Sequence, residues 1–315
     1  MSSSNSLQDI LLNHTSDSVV ADAETTTFHH VPVLLTEVMT GLAVQSGELY
    51  LDCTVGGGGH TGAILAVPDT QVVAIDQDDM ALAAAANHLA SFAERITFWR
   101  GNFSEYAQQQ PNLNVAAKFD GILADLGVSS AQLDLAERGF SFREAGALDM
   151  RMDRRQEITA ADLVNTASEK DLADWFFHYG EERYARKIAR GLVQKRPFYN
   201  TTDLAYAVGG CVPPSYRHGR IHPATRVFQA LRIVVNGELE HLKSWLGAVP
   251  DLLKPGGRLA VISFHSLEDR LVKTAFREDP RLQVVTKKPI IASEAETVSN
   301  PRSRSAKLRV AIRQE

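Results

Sequence analysis

The chain has 315 residues and is short of several things that would mark other classes of protein. It has two cysteines, Cys53 and Cys211, far apart and in no Cys-x-x-Cys pair. That argues against a disulfide scaffold and against a thiolate zinc site. No pair of histidines has metal-ligand spacing, so no metal is expected. No apolar run approaches the roughly 18 residues of a membrane span, so no membrane partner is expected. The opening MSSSNSLQDILLNH has no basic stretch and no long apolar one, and it does not read as a secretory leader. The expectation is a soluble protein of a reducing cytoplasm. Positive charge is missing from the front. The first Lys or Arg is Arg95, and 12 Asp and Glu precede it or lie next to it.

What is present is ordinary globular material, 44% hydrophobic and 23% charged, enough for about two domains. Residues 1–28 are rich in Ser, Thr, Asn and Asp and read as a disordered tail. From Arg95 onward the charge balance is +7, and residues 183–232 carry ten Lys or Arg against one acid, Asp203. One part of the chain would then handle a cationic or neutral ligand and another a polyanion. Chance clustering on solvated helix faces is the alternative.

Strands and helices alternate over the next hundred residues. Glu48 to Cys53, Gln71 to Asp76, Ile96 to Trp99 and Lys118 to Asp125 read as strands, with helices at Thr61 to Val67 and Met80 to Phe92. The rhythm implies parallel crossovers and a sheet buried on both faces. From Ser129 to Ile221 the text is helical. A helix is then expected from Ala224 to about Trp245, a turn at Lys254 to Arg258 and a fifth strand at Leu259 to Phe264. Leu282 to Thr286 and Lys307 to Ile312 form a closing pair. The expected fold is α/β, a doubly wound, mostly parallel, Rossmann-like sheet with a helical domain inserted after the fourth strand. Residues 29–128 and 223–315 make the sheet domain, and residues 129–222 the insert.

The glycines at 56 to 59, between a strand and a helix, let backbone come close to a ligand in the crevice at the strand ends. Asp76 ends the next strand, where an acid can accept hydrogen bonds from both hydroxyls of a ribose. Gly57, Gly59 and Gly62 also fit a dinucleotide fingerprint, so an NAD-dependent oxidoreductase is one reading. The acidic surroundings are a poor home for a pyrophosphate, and Asp52 could accept hydrogen bonds or face a cationic methionine end. S-adenosylmethionine is the other reading. Asp125, at the tip of the fourth strand, is either a cap for the next turn or a group beside the reacting atoms.

The runs Asp-Leu-Gly-Val-Ser-Ser-Ala-Gln-Leu-Asp (125–134), Glu-Arg-Gly-Phe-Ser-Phe (137–142) and Leu-Asp-Met-Arg-Met-Asp (148–153) resemble the bacterial MraW/RsmH methyltransferase family. So do Tyr-Gly-Glu-Glu-Arg (179–183), His-Pro-Ala-Thr-Arg (222–226), Ser-Phe-His-Ser-Leu-Glu-Asp-Arg (263–270) and Asn-Pro-Arg-Ser-Arg-Ser (300–305). The likeness extends from about residue 29 to the C-terminus. It implies a Rossmann-like methyltransferase that uses S-adenosylmethionine to methylate N4 of a cytidine in the decoding region of 16S ribosomal RNA, within the small ribosomal subunit. Carried over by motif, the cofactor contacts fall on Gly58, Gly59, His60, Asp76, Phe103, Asp125 and Gln132. Phe103 would pack on adenine; without the resemblance it reads as a core aromatic.

Two groups of residues remain. Asp125 is the candidate acceptor of a hydrogen bond from the amine that is methylated. His265 would stack on or hydrogen-bond the base, unless the segment is only a helix start capped by Ser266. In the insert, Ala185, Ile188, Ala189 and Leu192 repeat on one face of a helix and Arg183, Lys187, Arg190 and Gln194 on another. Arg183, Lys187, Arg190 and Arg226 are the candidate RNA-phosphate contacts. A noncatalytic RNA-binding factor with the same fold is the third reading.

Overall fold

The computed structural model describes residues 32–109, 118–217, 219 and 221–315; the expected tail, residues 1–28, lies outside them. Among the described residues eight strands form one sheet: β1 (Leu49–Asp52), β2 (Gln71–Asp76), β3 (Ile96–Arg100), β4 (Phe119–Asp125), β5 (Leu253–Ser263), β6 (Leu282–Val284), β7 (Ile290–Ile291) and β8 (Lys307–Arg313). The spatial order is β3-β2-β1-β4-β5-β8-β6, with β7 also pairing β8. Pairing is parallel from β3 through β5, and β8 runs antiparallel to its neighbours. This is the expected doubly wound, mostly parallel α/β sheet. The expected closing pair is β6 with β8.

Both faces of the sheet are covered, because neighbouring residues on each central strand serve different cores. Leu51, Ile75, Ile122, Ala124 and Val261 point to a layer that holds Trp245, Val272 and Phe276. Tyr50, Ala74, Leu123, Ala260 and Ile262 point to the opposite layer, with Val38, Ile64 and Ala85. Strands buried on both sides read as near-continuous apolar runs, which is why β4 and the end of β5 were legible.

Two local expectations are corrected. Lys254 to Arg258 is not a turn ahead of the fifth strand. It is a bulge inside β5, with Phe119 paired to Leu253 and then Gly121 to Arg258. Pro255 cannot donate to the ladder and Gly256 has φ +80°, so pairing lapses there and resumes. The helix expected from Ala224 to Trp245 is two helices, Pro223–Asn236 and Glu238–Ala248. Gly237 has φ 58° and closes the first helix through the left-handed conformation that glycine adopts without penalty.

A third core lies in the helical lobe. Helices Ala160–Thr166, Glu169–His178, Ala185–Lys195 and Thr201–Gly210 surround Val164, Phe176, Ile188, Leu192 and Leu204. Helix Pro223–Asn236, grouped with the sheet in the sequence reading, sends Ala224, Val227, Phe228 and Leu231 into this same core. Its packing therefore belongs with the lobe. Asn236, at its end, clasps the segment before the lobe's first helix: its amide donates to the Met150 carbonyl at 2.8 Å and accepts from the Met152 N–H at 2.8 Å.

Candidate active site

Strand order reverses between β1 and β4, so the loops leaving them diverge and open a crevice at their carboxyl ends. The glycine loop is stitched across that crevice. Thr54 Oγ accepts from the Asp125 N–H at 2.6 Å, the Val55 N–H donates to the Ile75 carbonyl at 2.8 Å, and the Gly56 N–H donates to Asp76 Oδ2 at 3.0 Å. Gly58 makes the bend possible, with φ +85°. A cavity of about 1080 Å³ opens over the loop and is lined by Gly57, Gly59, His60, Asp76, Phe103 and Asp125, among others. Nothing lies within 4 Å of the place where a Cβ on Gly57 would project. Gly58 differs from its neighbours: its Cβ position faces Leu89 under the bend, and it is not part of the lining.

Three carboxylates sit at the strand tips with no lysine or arginine ion pair among the described residues. Asp76 accepts from the Gly56 and Asp78 N–H groups, yet burial still pushes its carboxyl up to about 6. Asp52 is raised to about 6, again by burial, and accepts from Thr61 Oγ at 2.6 Å and the Thr54 N–H at 3.0 Å. Asp52 thus ties down the loop from beneath and does not line the cavity, contrary to the idea that it faces a cationic ligand. Asp125 is pushed well above the usual carboxylate range by burial and then by the charges of Asp52 and Glu268. Its Oδ2 is 3.8 Å from His60 Nδ1. Its Oδ1 is buried and has no hydrogen-bond partner among the described residues.

The remaining expected residues fall in different places. His60 Nε2 donates to the Val33 carbonyl at 2.9 Å, which fixes the ring between the N-terminal segment and Asp125. Phe103 packs edge-on against Trp245, with ring centroids 5.4 Å apart, and lines the cavity. Gln132 lines it too, though its polar atoms are engaged: Oε1 accepts from the Ser129 N–H and Nε2 donates to Asp78 Oδ2 at 2.8 Å. His265 is outside the lining. It caps helix Ser266–Glu278 with Nδ1, in the role foreseen for Ser266, while Glu268 accepts from the Phe264 and His265 N–H groups.

Two further ion-pair groups, to which the sequence assigned no role, stand around the cavity; of their residues Arg232, Glu238 and Glu268 line it. Arg138 and Asp78 form a buried pair at 2.7 Å that joins the end of β2 to the segment entering the lobe. Arg232 makes a two-pronged pair with Glu238, both contacts 2.7 Å, with Glu268 alongside at 3.9 Å. Arg138 and Asp78, and Arg232 and Glu268, are distant in sequence, and only the folded chain brings them together. Glu238, His265 and Glu268 are close enough to offer three ligands to a metal ion. Two of them are committed elsewhere, Glu238 to the Arg232 guanidinium and Glu268 to the helix cap.

The model of the MraW methylase family matches residues 27–314, nearly the whole chain. The chain belongs to that family. Among curated relatives, the ribosomal RNA small subunit methyltransferase H of Trichormus variabilis is 61% identical over 289 residues, 91% of this chain and 93% of that protein. The protein of the same name from Nostoc punctiforme is 60% identical over 285 residues, 90% and 94% of the two chains. An rRNA methylase structure from Streptococcus thermophilus aligns over 91% of this chain and 99% of its own, at 11% identity and a TM-score of 0.44.

As a MraW methylase the chain uses S-adenosylmethionine, and the cavity fits that donor. The open space at Gly57 admits a ligand against backbone. Each Asp76 oxygen, though bonded to one N–H, keeps a lone pair for a ribose hydroxyl. The unpartnered Asp125 Oδ1 waits for a donor or a positive charge. The Phe103 ring supplies an apolar wall for adenine, and among the described residues no lysine or arginine stands at the glycine loop to receive a pyrophosphate. The oxidoreductase reading therefore falls to the family match and to this charge pattern.

The four candidate RNA contacts lie on the helical lobe, away from the cavity lining. Arg183, Lys187 and Arg190 are exposed. Arg183 lies over the Tyr216 ring at 4.3 Å, and Arg190 pairs with Glu169 at 3.3 Å. Arg226 donates to the Glu181 carbonyl at 2.7 Å, beside Arg183 in sequence. The opposite helix face, Ala185, Ile188, Ala189 and Leu192, is buried as its spacing predicts.

Proposed function

We propose that this chain methylates N4 of a cytidine in the decoding region of 16S ribosomal RNA, acting on the small ribosomal subunit in the cytoplasm. The observation that carries the reading is Asp125 at the tip of β4, with an unpartnered carboxylate oxygen, lining a cavity with room for a donor and an acceptor together. The names of the relatives supply the substrate class.

S-adenosylmethionine, when bound, supplies an activated methyl carbon on a sulfonium. The protein's own task is then to align, desolvate and deprotonate the acceptor. The exocyclic nitrogen of cytosine is a poor nucleophile because its lone pair is conjugated with the ring. Asp125 Oδ1 accepts a hydrogen bond from that amine and favours the geometry in which the lone pair is free. Because burial raises its affinity for a proton, the same carboxyl can hold the one the amine sheds. Asp76 holds the ribose, Phe103 the adenine, and the backbone at Gly57, Gly59 and His60 the methionine part. Phe264, which follows β5 and lines the cavity, offers a face to the incoming base. Gly58 and Gln132 shape the loop and the next helix, and the capped His265 fixes the backbone beneath Phe264. The lobe that follows β4, with Arg183, Lys187, Arg190 and Arg226, grips RNA phosphates.

The test is mass mapping of 16S ribosomal RNA from cells with and without the protein, together with transfer of labelled methyl groups to undermethylated small subunits. The reading expects one modified cytidine to lose its N4 methyl group in the deletion and to regain it in vitro. An unchanged modification map would overturn it, as would titrations in which NAD binds and S-adenosylhomocysteine does not.

A further inference from the structure

Three arginines line the cavity: Arg232, Arg302 and Arg304. Arg232 is neutralised by Glu238. Arg302 Nη2 reaches both oxygens of Asp134 at 2.8 Å, and its Nη1 meets Ser130 Oγ. Arg304 is exposed and forms no ion pair with any described residue. The two arginines are two positions apart on the short helical turn Pro301–Ser305, yet one is spent on holding the turn and the other is left over.

The turn is built rigidly. Ser303 is fully buried and its hydroxyl donates to the Asn300 carbonyl at 2.8 Å, while the Asn300 N–H donates to the Glu296 carbonyl at 2.6 Å. The Arg302 clasp ties it to helix Ser130–Asp134, which follows the Asp125 tip and carries Gln132. Chain immediately after the turn enters β8, where Lys307 pairs with Ser263 at the end of β5. Arg304 and the exposed Ser305 line the same cavity as Asp125, at the tip of β4, and Phe264, which follows β5. The floor below them is acidic, with Asp76, Asp125 and Glu268. An anion is repelled from that floor and is attracted to the single unpaired guanidinium at the rim.

We propose that Arg304, presented by the turn that Arg302 locks and assisted by the Ser305 hydroxyl, binds a backbone phosphate next to the nucleotide whose base enters the cavity. The inference rests on the RNA-methylating reading above. It gives the strand a fixed anchor beside the reacting atoms, separate from the basic face of the lobe. A guanidinium and a hydroxyl offer directed donors to phosphate oxygens, and a turn already held in place loses little freedom on binding.

Arg304→Gln tests this at an exposed position where folding is not at stake; an unchanged Tm checks that, and Arg304→Lys keeps the charge. Against undermethylated small subunits, Arg304→Gln should weaken binding about tenfold. The slope of log affinity against log salt should fall by about 0.7 to 0.9, the share of one phosphate contact. Arg304→Lys should retain the slope. Affinity for S-adenosylhomocysteine should be unchanged. Unchanged subunit affinity and slope would overturn the proposal. Weakened S-adenosylhomocysteine binding with normal subunit binding would also overturn it, by assigning the cation to the donor's carboxylate. If the wild-type protein methylates subunits and only these variants behave as wild type, the anchor alone is wrong. If the wild-type protein transfers no methyl group, the function itself is wrong.

Discussion

Asp76 and Asp149 are both partly buried carboxylates that accept hydrogen bonds from backbone, yet their surroundings push them in opposite directions. Asp149 is gripped by Arg151 through two contacts of 2.7 and 2.8 Å, which hold its carboxyl below the usual range although burial opposes them. Asp76 has no such cation and is raised to about 6. The contrast extends to their neighbours. Asp153 is held down by Arg155, and Asp162 by the Thr159 hydroxyl and N–H. Asp52 and Asp125 at the strand tips are raised like Asp76. Around the approach to the lobe, carboxylates are structural and already satisfied. At the sheet tips they are buried at a cost, which a ligand that donates hydrogen bonds or brings positive charge would offset.

Breaking the tip side of this comparison at its centre should have the largest effect. Asp125→Ala should lower the methyl-transfer rate on undermethylated subunits by about a hundredfold or more, the range for loss of a positioned acid or base. The loss should persist at saturating S-adenosylmethionine and subunit, so that it reads in the rate and not only in binding. A full rate with both ligands bound would remove Asp125 from the chemistry.

The next effect is on cofactor affinity and carries a pH signature. Asp76 must be ionised to accept from two hydroxyls, and burial keeps it protonated to a higher pH than usual. Donor affinity should therefore fall by about tenfold per pH unit as pH drops below about 6. Asp76→Asn should weaken S-adenosylhomocysteine binding about tenfold at pH 7 and abolish that dependence, as read by calorimetry. In the empty protein the sign is opposite. The folded form holds the proton more tightly than the unfolded chain, so the Asp76 contribution to stability falls as pH rises from about 4 to about 6. A pH-independent affinity would mean that Asp76 does not meet the ribose.

The lobe side sharpens the comparison with the smallest effect. Reversing Arg183, Lys187 and Arg190 to Glu should weaken subunit binding several-fold to about tenfold near physiological salt and flatten its salt dependence. Cofactor affinity should not change, because none of the three lines the cavity. Binding that stays at wild-type strength would move the RNA surface elsewhere.

Sequence periodicity located seven of the eight strands found among the described residues, because a strand buried on both faces has to be apolar throughout and a crossover helix has to follow it; the two-residue β7, Ile290–Ile291, was too short to show a pattern. It located the glycine bend, Asp76 and Asp125 for the same reason: each ends a strand, and strand ends are local features. The buried face of helix Ala185–Lys195 was legible from its spacing. Only the tertiary structure decided which charges are paired. The Arg138–Asp78 pair, the Arg232–Glu238 clasp and the Arg302–Asp134 tie join residues 60, 6 and 168 positions apart. Composition is blind to such meetings. The same limit explains His265, whose side chain suits a base contact or a helix cap equally well as text. Its distance to Glu268 and its place outside the cavity lining are properties of the packed chain, since electrostatic and hydrogen-bond partners are set by proximity in space and not along the sequence.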